Sequence, residues 1–319
     1  MSRFIAPDLA RLPRLPLVEP DHQSIVDQRM ESFRTKADAA GISYDVDMLD
    51  SDPVKIDQIL GADREVGIRA EINDQVRAVM LASSWGSYLD QIAATYYGIS
   101  RLVVGTDEET GDPIMEADQT FKNRIVLAPE AFSTAGPEGA YVFHALELDG
   151  TGDVADAAAY SEEDGAVYAN NDPVLAPEIL VVILPRLAYA GSGPALIDRV
   201  YAAVTAENVR PLGDKVTVEL ADDHEYEVEA TIRIAPGADP QPVAAEARKQ
   251  VEAYVAARRR IGTIVQRLGL GGALRVTDVT EIELTAPAAD IDRGSKGAAT
   301  CTGITITVEE GADTWRAIP

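Results

Sequence analysis

The stretch that decides the fold is residues 215–234, "KVTVELADDHEYEVEATIRI". Val216, Val218 and Leu220 point one way before "ADDH", and Tyr226, Val228, Ala230, Ile232 and Ile234 do so after it. Their outward neighbours are Lys, Thr, Glu and Arg. This period of two marks strands with one buried and one wet face. Asp222 and Asp223 have turn chemistry, so the expectation is an antiparallel hairpin turned at residues 221–224. A slip of one residue would turn the apolar face to water, so its register is strongly specified.

That face needs a cover, and the next segment supplies one. "DPQPVAAEARKQVEAYVAARRR" (239–260) has prolines near its start and a stripe of Val243, Ala247, Val251 and Tyr254. Three arginines close it, where the helix dipole favours cations. A shorter helix leads to "VTEIEL" (279–284) and "GITITV" (303–308), which complete the sheet. Helices on one face of a mostly antiparallel sheet make a two-layer α+β unit.

Upstream, "GDVADAAAY" (152–160) and "PEILVVILP" (177–185) read as strands, joined by the polar, acidic "SEEDGAVYANNDP" (161–173). "GPALIDRVYAAVTAEN" (193–208) reads as a helix that follows them. "EADQTFKNRIVLAPEAF" (116–132) is helical, with Asp118 placed to cap it. The fold class is therefore α+β: a helical N-terminal region followed by two small α/β-sandwich-type units with mostly antiparallel sheets.

The helical region centres on "PVKIDQILGADREVGIRAEINDQVRAVMLA" (53–82). At about 100° per residue, Ile56, Ile59, Leu60 and Val66 fall on one side. Ile68, Ile72, Val76, Val79 and Met80 fall on the other. The burying face flips near Gly67, so the helix either kinks at Gly61 or Gly67 or gives each half to a different neighbour. A second helix follows in "SYLDQIAATYYG" (87–98), with Leu89, Ile92, Ala93 and Tyr96 on its stripe and Gly98 as a left-handed stop. "VVGTDEETGDP" (103–113) breaks the pattern and marks a boundary. The expected segments are an extended arm (1–20), a helical region (21–110), a middle domain (111–211) and a C-terminal domain (212–319).

Prolines at 7, 13, 16 and 20 keep the arm from forming a helix. Its Phe4, Ile5, Leu9, Leu12, Leu15 and Leu17 are too many apolar side chains for a free tail, so it is expected to dock on a neighbour. It has no signal-peptide pattern, and no run of about 20 apolar residues marks a membrane span. The net charge of −25 argues against a wide nucleic-acid footprint. A single cysteine, Cys301, excludes an internal disulfide and a cysteine-based zinc site.

The chemical candidates are weak. In "STAGPEGAYVFHALELDG" (133–150), His144 lies about two turns into its helix, past the anion-binding first turn, and reads as a packed residue. "DDHE" (222–225) reads as a solvated turn, "LGLGGAL" (268–274) as a helix break, and "AGSGPALID" (190–198) as a helix start with Gly193 or Ser192 as its cap and Pro194 in its first turn. "ARRRIG" (257–262) reads as a helix-terminal charge cluster. No catalytic, cofactor or metal residues are assigned.

Read together, "DREVGIRAEINDQVRAVMLASSWGSYLDQIAATYYGISRLVV", "STAGPEGAYVFHAL", "NVRPLGDKVTV" and "LTAPAADI" resemble the baseplate J proteins of contractile phage tails, over about residues 24–308. The resemblance implies a structural subunit of the baseplate wedge, without catalysis or cofactor. It would join a helical bundle to the six-fold ring around the hub and take part in its rearrangement on contraction. Implied partners are a protein W-like and a protein I-like wedge component and further copies of the chain, with no nucleic acid and no membrane insertion. The implied location is the host cytoplasm during assembly and then the tail baseplate. The expected partner-facing residues are Ile56, Ile59, Leu60, Val66, Ile72, Val76, Val79, Leu12 and Leu15. The alternatives are a baseplate-associated cell-wall hydrolase and an acidic protein-binding module. A hydrolase would need a carboxylic acid of raised pKa facing a cleft, and no such constellation stands out.

Overall fold

The computed structural model describes residues 9, 12, 18–19, 21–44, 51–107, 109–132, 137–207 and 209–310. The chain is α+β and divides into two compact units. One takes Ala6–Ser100 together with Ala117–Ile125; the other takes Arg101–Glu116 and the chain from Val126 onward.

In the first unit, α1 (His22–Ala39) is capped by Asp21, which accepts from the Gln23 N–H. Helix α2 (Pro53–Ala78) starts on Pro53, and Asp52 accepts from the Lys55 N–H at 3.0 Å. It is continuous through Gly61 and Gly67 and stops at Ala78, short of the expected Ala82. The two helices meet through Ile25, Val26, Met30 and Ala62, with Tyr44, Ile59 and Val66 packed around them. Gly61 leaves room for the Arg29 guanidinium, whose Nε donates to the Gln58 carbonyl.

Helix α3 (Gly86–Ile92) widens into a π-turn at Ala93–Tyr97 and ends on Gly98 at φ 68°, the left-handed stop expected there. Helix α4 (Asp118–Leu127) follows, and Asp118 Oδ2 accepts from the Gly86 N–H.

The second unit opens with a small hairpin, β1 (Val103–Thr106) and β2 (Pro113–Met115), where the sequence suggested only a break. Asp107 turns it by accepting from the N–H groups of Glu109 and Thr110. After α5 (Glu138–Glu147) comes a mixed sheet in the order β3-β4-β5. Strand β3 (Val154–Tyr160) runs antiparallel to β4 (Glu178–Pro185), and β5 (Lys215–Leu220) runs parallel to β4 through the crossover helix α6 (Gly193–Val204). A strand covered on both faces reads as a continuous apolar run, and Leu180 to Leu184 are all 0% exposed. On one face Val181 and Ile183 meet Tyr141, Leu196 and Val200. On the other, Leu180, Val182 and Leu184 meet Ala166 of the acidic connection and Val174 just after it, together with Ile261 and Ala298.

The last sheet has the order β7-β6-β8, built from β6 (Asp222–Ile234), β7 (Val279–Ala286) and β8 (Gly297–Glu310). Strand β6 is antiparallel to β7 and parallel to β8. Helices α7 (Pro240–Arg258) and α8 (Arg267–Leu274) cover it through Val243, Ala247, Val251, Leu270 and Leu274.

The expected hairpin at 215–234 does not form. The expected apolar face of β6 is buried, as are Val216 and Val218 of β5, whereas Leu220 is exposed; the two strands belong to different sheets, and "ADDH" is no turn. Ala221 alone separates them, which is too short for the two-residue loop of a tight hairpin. The Ala221 N–H donates to Ile183 O, and the Asp222 N–H to Lys296 O, so the chain leaves one sheet and enters the next within two residues. "LGLGGAL" likewise is not a break: it lies in α8, where Gly269 gives room to the Tyr254 ring.

Candidate interface surfaces

Helix α2 is 26 residues long, yet only Ala62, Asn73 and Ala78 are buried on it. The face toward α1 uses Ile59, Ala62 and Val66. Two turns further on, the Asn73 side chain holds the backbone of Val18, donating from Nδ2 to its carbonyl (2.8 Å) and accepting its N–H on Oδ1 (3.0 Å). Arg69 donates to the Glu19 carbonyl at 3.1 Å. These contacts spend the helix's one buried stripe on α1 and on the backbone of residues 18–19.

The remaining apolar residues face outward. Ile56, Ile68 and Ile72 are exposed, Leu60 is 62% exposed and Val79 70%. Val76 is half-buried, as are Ile59 and Val66, which turn to α1 instead of sharing a surface with Ile56 and Leu60. The two expected stripes are thereby regrouped: a pair at Ile56 and Leu60, and a longer row at Ile68, Ile72 and Val79. Leu12 is exposed, and Leu15 lies outside the described residues.

An aromatic patch on α3 went unread in the sequence. Trp85 and Tyr88 are exposed and stack edge to face at 5.6 Å. Leu89 and Ala93 are buried as expected, but Tyr96 is 73% exposed. The π-turn adds a residue to the helical repeat and rotates Tyr96 off the buried stripe. The spacing of Trp85 and Tyr88, three residues apart, was the signal available.

The chemical candidates have structural surroundings. His144 sits half-buried in the last turn of α5, edge-on to Phe143, and burial lowers its pKa below the ordinary imidazole value. Tyr141 donates to Asp214 at 2.6 Å, and burial, aided by that carboxylate, pushes its hydroxyl pKa far up. In "DDHE", Asp222 pairs with Arg293, while Asp223 accepts from Thr300 Oγ1 (2.7 Å) and from Arg259 (3.3 Å). Arg259, expected to belong to a helix-terminal charge cluster, also donates to the Pro185 carbonyl and to Thr300, bracing β4 against β8. At "AGSGPALID" the Ser192 hydroxyl accepts from the Ala195 N–H, the expected cap. Burial raises the Cys301 thiol. Among the described residues no three His, Cys, Asp or Glu side chains are grouped to hold a metal ion, and no helix is long and apolar enough to cross a membrane.

Residues 50–108, which carry α2, α3 and β1, match the family model of the Baseplate J-like N-terminal domain. This places the class of the helical unit. The chain is also 33% identical over 302 residues to the baseplate protein J of Escherichia phage P2, an alignment that spans 92% of this chain and 95% of that protein. The chain belongs to the baseplate protein J family.

Proposed function

We propose that the chain is a structural subunit of a contractile-tail baseplate that acts by assembly rather than catalysis. The observation that carries this reading is α2: a long helix inside the family-matched segment that leaves Ile56, Leu60, Ile68, Ile72 and Val79 exposed. Scattered apolar residues are ordinary on a surface, but rows along one helix mark a face that another chain covers. The likeness to the phage P2 protein supports the baseplate setting. In this reading α2 joins the helical bundle of the wedge with protein W-like and protein I-like partners. Further copies of the chain complete a six-fold ring that rearranges on contraction. The arm, with Leu12 and Leu15, docks on a neighbouring subunit. Assembly takes place in the host cytoplasm, and the tail baseplate is the final location.

The test is incorporation into particles by Ile72→Ser/Val79→Ser and by a deletion of residues 2–17. Both variants are expected to melt like the parent chain and to be missing from assembled baseplates. Normal incorporation of the helix variant would refute the role given to α2.

A further inference from the structure

We infer that the open edge of β6 is a docking slot for an extended, basic peptide segment of another polypeptide, which adds to the sheet as a strand. Strand β6 pairs with β8 along its whole length, from Asp222↔Gly297 to Ile234↔Glu310. On its other side it pairs with β7 only from Glu229 onward. Residues 222–228 therefore have one unpaired edge, where alternate residues turn both their N–H and C=O groups outward. The chain after β7 borders this edge without laddering to it: Ile291 pairs with Val265 instead.

A cavity of ≈ 460 Å³ lies at this place, lined by His224, Tyr226, Glu227 and Glu229 of β6 and by residues 286–293 opposite. From Tyr226 onward the even-numbered residues of β6 are buried and the odd-numbered ones turn outward, whereas 222–225 are all exposed. A single cavity lined by both sets sits at the strand edge and not on either face. Tyr226, only 7% exposed, borders the cavity from the core side.

Charge selects the occupant. Glu227, Glu229, Asp290 and Asp292 line the cavity, while the one arginine there, Arg293, is paired with Asp222. An extended segment with alternating Lys or Arg side chains satisfies the backbone edge and this acidic rim together, the mode of recognition in which main-chain bonds give affinity and side chains give selectivity. The slot belongs to the second unit, whereas α2 belongs to the first.

The experiment uses the full-length chain and three fluorescent octapeptides followed by anisotropy: one alternating Lys and Val, the same peptide with alternate backbone amides methylated, and one alternating Glu and Val. The Lys peptide is expected to bind saturably. The methylated and acidic peptides, and the Lys peptide against Glu227→Lys/Glu229→Lys, are expected to bind at least about tenfold more weakly. The substituted side chains are exposed, and an unchanged melting curve verifies the fold of the variant. Hydrogen exchange at residues 223–228 is expected to slow with the Lys peptide bound. Absence of saturable binding, equal binding of the methylated peptide, or unchanged exchange along 223–228 would each overturn the inference.

Discussion

Strand β4 and helix α2 handle apolar surface in opposite ways. The strand hides Leu180 to Leu184 completely, each at 0% exposure, between α5 and α6 on one face and the 161–177 connection with Ile261 and Ala298 on the other. The 26-residue helix hides three residues and leaves four large apolar side chains exposed, with Val79 at its C-cap exposed as well. Buried apolar area is what stabilises the chain by itself, so β4 and its sheet hold the monomer. Apolar area left in water stabilises only what later covers it, and α2 is therefore a surface for association.

Substitutions can break or sharpen this contrast. The largest effect belongs to the sheets: Val182→Asp or Val228→Asp places an unpaired carboxylate where both side chains are 0% exposed. A loss of several kcal/mol, on the order of 3 to 5, unfolds the chain. A cooperative melt close to that of the parent would show that the buried face is misassigned. Ile183→Ala leaves a cavity under α6 and is expected to cost about 2 to 5 kcal/mol in denaturant titration.

Asp156 tests the join between the two sheets. Its Oδ2 accepts from the buried Ile261 N–H at 2.8 Å, and Asp156→Ala strands that donor at a cost of about 1 to 3 kcal/mol. Unaltered stability would mean that the contact is replaced by another acceptor.

His144 has a smaller effect, visible in its pH dependence. Its folded-state pKa is lowered by burial, so the unfolded chain takes up the proton first. The neutral ring contributes stability above the unfolded value of about 6.5, and that contribution falls away as pH drops below it. His144→Gln is expected to flatten the decline in melting temperature between about pH 7 and pH 5.5. An identical slope in both proteins would remove the histidine from the account.

The smallest effect on monomer stability belongs to α2. Ile72→Ser and Val79→Ser are expected to stay within about 0.5 kcal/mol of the parent, while self-association measured by sedimentation decreases. A large drop in stability would mean that these side chains are covered within the monomer and that the contrast with β4 is false.

Much of this was legible beforehand. The face of β6 was readable because Tyr226, Val228, Ala230, Ile232 and Ile234 alternate without a break, and all five are buried. The α7 stripe of Val243, Ala247 and Val251, the Ser192 cap and the Gly98 stop were readable for the same reason: each is set by residues within a turn or two. The role of the acidic connection was not, because Ala166 and Val174 are covered only when residues 161–177 fold back over β4. Nor was the exposure of Tyr96, which depends on a π-turn with no signal of its own in composition.

Periodicity determined which residues form helices and strands, which side of each is apolar, and that α2 has more apolar surface than one neighbour can cover. Resemblance in the order of its motifs determined the family. Only the tertiary structure decided that β5 and β6 part at Ala221, that β6 takes β8 as a parallel partner, and that half of one β6 edge stays open. The reason is physical. Alternation specifies the face a strand buries, but any strand edge offers the same N–H and C=O groups to any neighbour. The choice among neighbours is made by connection length and by what packs above and below the sheet.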